Sequence, residues 1–369
     1  MSSPNSYMVK LGAQIEELDT PCLLVDLDVM ESNISKMAEE FHGMSAALRP
    51  HAKTHKTPII AHKQLKAGAI GITCAKVGEA EVMAEAGIGP LLIANQVVGE
   101  PKVTRLVNLT KHCDVTVAVD DPANVRHLAE SAHRKGVKLN VVVEVDVGNN
   151  RCGTEPGEPA LKLAREVVDN DSLNLRGLMG YEGFCQMVPK LEERRPKTEA
   201  AMQKLVSTRD LFDDKGVPVE IVTAGGTGTH MITGRFPGIT EVEAGSYVFM
   251  DARYGSIEGL EKFGHALTLL TTIISVPRPG VAICDAGLKT LTVEFGMPAI
   301  KGITGVEYVN PSEEHGRLKV KDAGLRIGDK IELIPSHCCT ISNLHDNIYC
   351  NRKGELEAVW KVAARGRSQ

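Results

Sequence analysis

The sequence predicts an α/β chain, a TIM-type (β/α)8 barrel followed by a separate β domain. Three observations carry that expectation. Between about residues 47 and 247, short apolar runs alternate with longer amphipathic stretches, as parallel strands joined by crossover helices do. Eight such runs can be counted, the number that closure into this barrel needs. After about residue 265 the texture changes to a meander of β-rich runs separated by turn residues. An open doubly wound sheet is the structural rival, but no run is followed by the GxGxxG turn of a dinucleotide fold.

Taken in order, TPCLLVDLD (20 to 28) reads as a strand that precedes the barrel and joins the β domain in space, with the helix VMESNISKMAEEF after it. The barrel strands are AALRPHAK (46 to 53), AIGITCAK (69 to 76), PLLIANQ (90 to 96), VTVAVD (115 to 120), LNVVVEVD (139 to 146), LRGLMGY (175 to 181), VEIVTAG (219 to 225) and TEVEAGSY (240 to 247). Helices fall between them, as at GEAEVMAEAGI (78 to 88) and PANVRHLAESAHRKG (122 to 136); the latter starts with Pro after Asp and ends in Gly. The β domain is read from LTLLTTIISVP, VAICDAG, RLKVKDAG, KIELIPSHC and NIYCNRKGELEAVW. The expected domains are therefore residues 20 to 265 and 266 to 369.

At 369 residues the chain holds two domains or a large barrel with an appendage, and 43% hydrophobic with 24% charged residues suffices to bury full cores. Forty-two Lys and Arg against 47 Asp and Glu leave a net charge of -5, so there is no basic excess for nucleic acid or a membrane surface. The opening MSSPNSYMVKLGAQ has no apolar segment of the export type, and nothing later runs to membrane-spanning length, which makes the cytoplasm the expected location. The nine cysteines are scattered and odd in number and form no CxxC pair, so most read as small buried hydrophobes. Only the SHCCT stretch invites chemistry.

Functional residues of a TIM barrel sit at the carboxyl ends of its strands. Here those ends carry Lys53, Lys76, Asn95 and Gln96, Asp120, Asp146 running into Arg151, Tyr181, and the turn TAGGTGTH at 223 to 230. The glycine turn can form an anion nest in the usual phosphate position of this barrel, yet it is neither a Walker loop nor a dinucleotide fingerprint. A phosphate there, a lysine after strand one, and an arginine and tyrosine between them suggest pyridoxal phosphate held as a Schiff base. Lys56 and Lys76 compete with Lys53, and spacing alone does not choose among them. His337 and Cys339 follow the apolar run KIELIPS at i and i+2, which on an extended segment would place both on one face as a two-ligand metal site. His51 and His55 flank the lysine, and His315 stands in EEHG; each reads at least as well as an orienting or packing residue.

The motifs LRPHAKTHK, CAKVGEAE, VEVDVGNNRCG, AGGTGT, EAGSYVFMDARYG, DAGLK, EEHG and SHCCTISNLHD occur in order from residue 48 to 346. On these, the sequence resembles the D-threonine aldolase and D-serine dehydratase group of fold-type III pyridoxal phosphate enzymes, with their alanine racemase-like barrel and β domain. The resemblance implies that Lys53 carries the cofactor, that Arg151 faces the pyridine nitrogen and that Tyr181 lies beside the ring; His51, next to the lysine, is taken with Lys53 and Glu182 as a catalytic candidate. Backbone groups of Gly225, Gly226, Thr227 and Gly228 would hold the phosphate. An arginine keeps its proton and so weakens the electron sink, which makes metal assistance at a substrate hydroxyl more useful. The implied metal ligands are His337 and Cys339. The aldolases carry Asp at the second position and the dehydratases Cys, and a thiolate favours zinc over manganese or magnesium. Glu182 stands where some aldolases have a histidine that could act as base, and it is the candidate for that role here.

The expected activity is cleavage of the Cα–Cβ bond of D-configured β-hydroxy amino acids, of the D-threonine or 3-hydroxy-D-aspartate aldolase type. A zinc-dependent dehydratase of D-serine or 3-hydroxy-D-aspartate is the alternative, favoured by Cys339. A non-catalytic pyridoxal phosphate-binding protein is a further one, opposed by the β domain, and a racemase is weaker still. A small D-amino acid is the expected partner, and the family resemblance implies a homodimer.

Overall fold

The structure is a computed structural model that describes residues 9 to 369. The first eight residues, part of the stretch read for an export signal, lie outside it. The chain forms two compact units. One comprises residues 34 to 247, 257 to 261 and 366 to 369; the other comprises the described residues up to Asn33, with 248 to 256 and 262 to 365.

In chain order the elements are β1 (Cys22–Asp26), α1 (Leu27–Phe41), β2 (Ala47–Leu48), α2 (Pro58–Lys66), β3 (Ile72–Cys74), α3 (Val77–Glu85), β4 (Leu91–Gln96), α4 (Glu100–Leu109), β5 (Val115–Val119) and α5 (Pro122–Lys135). They continue with β6 (Leu139–Glu144), α6 (Glu158–Val168), β7 (Leu173–Gly180), α7 (Leu191–Asp214), β8 (Ile221–Ala224), α8 (His230–Thr233) and β9 (Glu241–Val242). The remainder are β10 (Leu267–Arg278), β11 (Val281–Cys284), β12 (Ala299–Ile300), β13 (Val306–Pro311), β14 (Gly316–Val320), β15 (Lys330–Ile334), α9 (Cys338–Ser342), β16 (Asn347–Arg352) and β17 (Glu355–Lys361).

Each of the eight apolar runs supplies one barrel strand, in the parallel order β2-β9-β8-β7-β6-β5-β4-β3. The circle closes through a parallel bridge of His51 with Thr73, where the Thr73 amide donates to the Pro50 carbonyl at 2.8 Å. Parallel strands are covered on both faces and therefore read as unbroken apolar runs; Val115–Val119 is buried at every position. Leu92, Ala118, Val142, Met179 and Ile221, one from each of β4 to β8, pack as a single buried layer. Where the first and last strands meet, Arg49 donates twice to Glu241, at 2.8 and 2.7 Å. Helix α5 begins as read: the Asp121 side chain accepts from the amides of Ala123 (2.7 Å) and Asn124 (3.1 Å), ahead of Pro122.

The first and last runs are strand for only two residues each. After them the chain turns into one-turn 3-10 helices at Ala52–Thr54 and Ser246–Val248. Pro50 has no amide to give a ladder, so the first strand stops before it.

The other unit is a nine-stranded sheet, ordered β13-β14-β11-β10-β1-β16-β17, with β15 pairing both β10 and β12. As the sequence suggested, β1 belongs here, antiparallel to β10 and parallel to β16. Strands β12 and β13 carry little signal in the sequence, the first because it is two residues long and the second because it ends in Asn310 and Pro311. None of the nine cysteines forms a disulfide among the described residues. No helix among the described residues is long and apolar enough to cross a membrane.

Candidate active site

The three competing lysines are separated by what surrounds them. Lys56 is buried and ion-paired with Glu79, whose other oxygen accepts from the Ala75 amide at 2.7 Å. Lys76 is exposed and caps α3. Lys53 sits half-buried in the 3-10 turn, its Nζ 5.7 Å from the centre of the Tyr181 ring. Arg151 stands over the same ring, with Cζ at 5.4 Å from its centre. An amine, an aromatic platform and a guanidinium thus converge at the carboxyl end of the barrel, a set suited to an anionic aromatic aldehyde.

Arg151 owes its place to the acids at the neighbouring strand ends. Asp146 accepts from the amides of Gly148 (2.9 Å) and Asn150 (3.1 Å), and Asp120 accepts from that of Gly153 (2.9 Å), which folds the loop after β6. Asn150 turns that loop at φ 51, a conformation asparagine tolerates. Glu144, buried beneath it, receives Gln96; burial raises its pKa, against the Gln96 hydrogen bond and the Arg151 charge.

His51 is buried, and its Nδ1 accepts from the Lys53 amide at 3.4 Å. Burial, then the Lys53 charge, holds its pKa well below the usual histidine value, and a hydrogen bond to the Thr73 backbone only partly compensates. The ring is therefore neutral at pH 7 and engaged with the backbone on both sides. Glu182, expected as a base, is fully buried beneath the glycine turn. Its carboxylate accepts from the Gly225 amide (3.1 Å) and from the hydroxyls of Thr229 (2.6 Å) and Thr233 (3.0 Å). Burial still pushes its pKa up, in spite of those donors.

The glycine turn is held tightly from below. Gln186 Oε1 accepts from the Gly228 amide at 2.9 Å, and the Gly226 amide reaches Thr229 Oγ1 at 3.3 Å. Only glycine fits at 228, because a Cβ there would lie 2.1 Å from the Gln186 carbonyl oxygen. Three of the four amides expected to hold a phosphate are thus engaged by protein groups. The Thr227 amide is not among them, and Thr227 Oγ1 accepts from the Tyr247 amide at 3.0 Å.

The sequence reading missed Glu243. It is buried just past β9, receives Thr223 Oγ1 at 2.8 Å, and burial pushes it up to about 7, Glu241 adding to the rise and Lys53 opposing it. A carboxylate in the run EVEAG was legible, but its proximity to Lys53 was not.

In the other unit, ligand atoms of His337, Cys338 and Cys339 lie within 4.8 Å of one another. The expected cluster forms for a different reason from the one expected. His337 is the extended cap of α9, and Cys339 belongs to the helix, so no strand alternation aligns them. Asp251, fully buried and unforeseen, organises the cluster: one oxygen meets His337 Nδ1 at 3.0 Å and the Cys338 amide at 3.1 Å, and the other accepts from the Tyr254 amide at 2.8 Å. That fixes the imidazole with Nε2 outward, the arrangement of a carboxylate-supported metal ligand. Burial opposes charge on His337, yet Cys339 and then Asp251 outweigh it and push the imidazole up to about 10. Nitrogen and sulfur donors side by side suit zinc.

Asp285 and His345 are held by hydrogen bonds within the β unit. Asp285 accepts from Thr20 and Thr271 hydroxyls, both at 2.6 Å, tying β1 to β10. His345 Nε2 meets the Thr290 carbonyl at 2.7 Å, and His315 is exposed in the β13–β14 turn.

Comparison with known proteins agrees with this architecture. Residues 25 to 253 match the family "Alanine racemase, N-terminal domain" and residues 266 to 351 the "Putative serine dehydratase domain". A 3-hydroxy-D-aspartate aldolase of Paracoccus denitrificans (strain Pd 1222) is 37% identical over 367 residues, spanning 96% of this chain and 94% of the relative. The crystal structure of D-threonine aldolase from Filomicrobium marinum is 39% identical with a TM-score of 0.95, over 98% of this chain and 100% of that one. D-threo-3-hydroxyaspartate dehydratase from Delftia sp. HT23 is 27% identical with a TM-score of 0.86, over 94% and 98%. The chain therefore belongs to the D-threonine aldolase group of the alanine racemase-like, fold-type III pyridoxal phosphate family, and it is an enzyme of that lyase type.

Proposed function

We propose that this enzyme uses pyridoxal phosphate and a divalent metal to split D-β-hydroxy amino acids, D-threonine or 3-hydroxy-D-aspartate, into glycine and an aldehyde. The observation that carries the reading is the convergence of Lys53 and Arg151 on the Tyr181 ring. Lys53 supplies the amine that anchors the cofactor, and His51, neutral and tied to the Lys53 amide, keeps the turn carrying it in place. Arg151 contributes a fixed positive charge toward the cofactor ring and, being unable to release its proton, takes no part in proton transfer. When bound, the cofactor supplies an electron sink for the charge that develops at Cα as the bond to Cβ breaks. Glu243, poised near pH 7 in the field of Lys53, stores and returns a proton beside it. Glu182 and Gln186 set the glycine turn and act as positioning residues, and Thr227 offers the phosphate its amide.

His337 Nε2 and Cys339 Sγ would hold the metal, which supplies Lewis acidity to the β-hydroxyl; zinc suits the pair best, manganese or magnesium less well. Incubation with D-threonine, D-serine and 3-hydroxy-D-aspartate, followed by product analysis, tests the reading. Glycine with an aldehyde is the expected result. Ammonia with a keto acid, and no aldehyde, would replace it with the dehydratase reading. Cys339 favours that second reading, because the family resemblance gives the dehydratases a cysteine at this position where the aldolases have aspartate, and a thiolate favours zinc. We take the cytoplasm as the site of action and a homodimer as the working form, which sedimentation equilibrium checks.

A further inference from the structure

We propose that Arg253 reads the substituent on the substrate's β-carbon and selects a carboxylate there, which makes 3-hydroxy-D-aspartate a better substrate than D-threonine. The residues concerned all lie in the unit built on the nine-stranded sheet. Phe295, in the loop between β11 and β12, sets its ring against the His337 imidazole, with centres 4.6 Å apart. Arg253 lies over the same Phe295 ring, its Cζ 5.2 Å from the centre. Those two contacts keep the guanidinium within about 10 Å of the imidazole. Arg49, Arg176 and Arg352 all have carboxylate partners. Arg253 is half-buried, yet among the described residues no carboxylate or carbonyl accepts from its guanidinium. Stacking on an aromatic ring occupies the face of a guanidinium and fixes its plane, while the N–H groups at its edge remain available. A fork held in that way fits a carboxylate with two parallel hydrogen bonds.

This selection rests on the reading that a metal on His337 and Cys339 takes the β-hydroxyl. The carbon that bears the hydroxyl also bears the variable group, a methyl in D-threonine and a carboxylate in 3-hydroxy-D-aspartate. Metal bonds of about 2 Å on either side, the short link through the β-carbon and a charge-assisted hydrogen bond of about 2.8 Å reach from the imidazole to the guanidinium. A methyl group leaves the guanidinium to water. A carboxylate replaces that water with charge-assisted bonds beside an aromatic wall, where they are stronger than in bulk solvent.

Titration calorimetry of the zinc- and cofactor-loaded enzyme with racemic malate and racemic 3-hydroxybutyrate tests the assignment. These are 3-hydroxyaspartate and threonine without the amino group, so they report binding without reaction, and the carboxylate they share cancels in the comparison. Malate should bind about tenfold tighter or more, as hydrogen bonds to a charged group imply. Arg253→Met, which keeps the packing on Phe295 and loses the fork, should bring the two affinities together, with zinc content and cofactor absorbance as in the wild type. Arg253→Lys keeps the charge without the fork and should restore part of the preference. In turnover, Arg253→Met should lower kcat/KM for 3-hydroxy-D-aspartate relative to D-threonine by about the same factor, chiefly through KM. Equal affinities in the wild type, tighter binding of 3-hydroxybutyrate, or a preference for malate that survives Arg253→Met overturns the assignment. Calorimetry reads the preference whichever bond of the substrate breaks, so ammonia in place of glycine would overturn the aldolase reading and not this one.

Discussion

At the scale of single residues, burial decides which of several chemically similar groups is usable. Lys56 is spent on Glu79, and Lys76 on the surface, which leaves Lys53 against Tyr181. Lys53→Ala should therefore lose the borohydride-reducible cofactor adduct and slow turnover by about a thousandfold or more, whereas Lys76→Ala keeps both; mass spectrometry of the reduced protein checks it. Glu243 offers a second test through pH. Its folded pKa, about 7, lies above the ordinary 4.5, so between those values the folded chain holds a proton that the unfolded chain has lost. Stability falls as pH rises through that window, by about 3 kcal/mol from this group. Glu243→Gln should remove that slope, making the cofactor-free variant more stable than wild type at pH 8 and nearly equal at pH 5 in urea denaturation. Neither outcome is readable from sequence, because EVEAG shows a carboxylate and not the low-polarity surroundings that raise it.

Among the elements, the glycines and caps fix geometry that the site then uses. Gly177 in β7 adopts φ 147, and a Cβ would stand 1.9 Å from the Ile221 carbonyl oxygen of β8. Gly177→Ala should thus separate the two strands that deliver Tyr181 and the glycine turn, at a cost of about 3 kcal/mol or more, seen as a lowered denaturation midpoint. The α9 cap shows the same dependence on local geometry. Asp251 locks the His337 ring through Nδ1, so Asp251→Asn should weaken zinc binding by about ten- to a hundredfold, measured by competition with a chromophoric chelator. HxC spacing exposed the candidate pair in the sequence. It did not expose the reason the pair converges, since a helix cap rather than a strand aligns it.

For the whole molecule, the residues proposed to hold the cofactor and those proposed to hold the metal belong to different compact units. Chelation should therefore abolish turnover while the cofactor absorbance persists, and restoring zinc should restore activity; undiminished turnover in protein shown metal-free by elemental analysis would remove the metal from the reaction. The sequence by itself determined the architecture, because parallel strands covered on both faces must be written as unbroken apolar runs, and eight such runs stand in a row before the β meander. It also marked the candidate segments, since lysine, arginine, tyrosine and glycines fall where barrel strands end. Tertiary structure alone decided what those residues touch. Glu182 became a buried support for the turn, three of the turn's amides were taken by protein groups, and Glu243 and Asp251 entered the site. Such roles depend on which side chains from distant strands are brought within hydrogen-bond range and stripped of water, and no spacing along one chain records that.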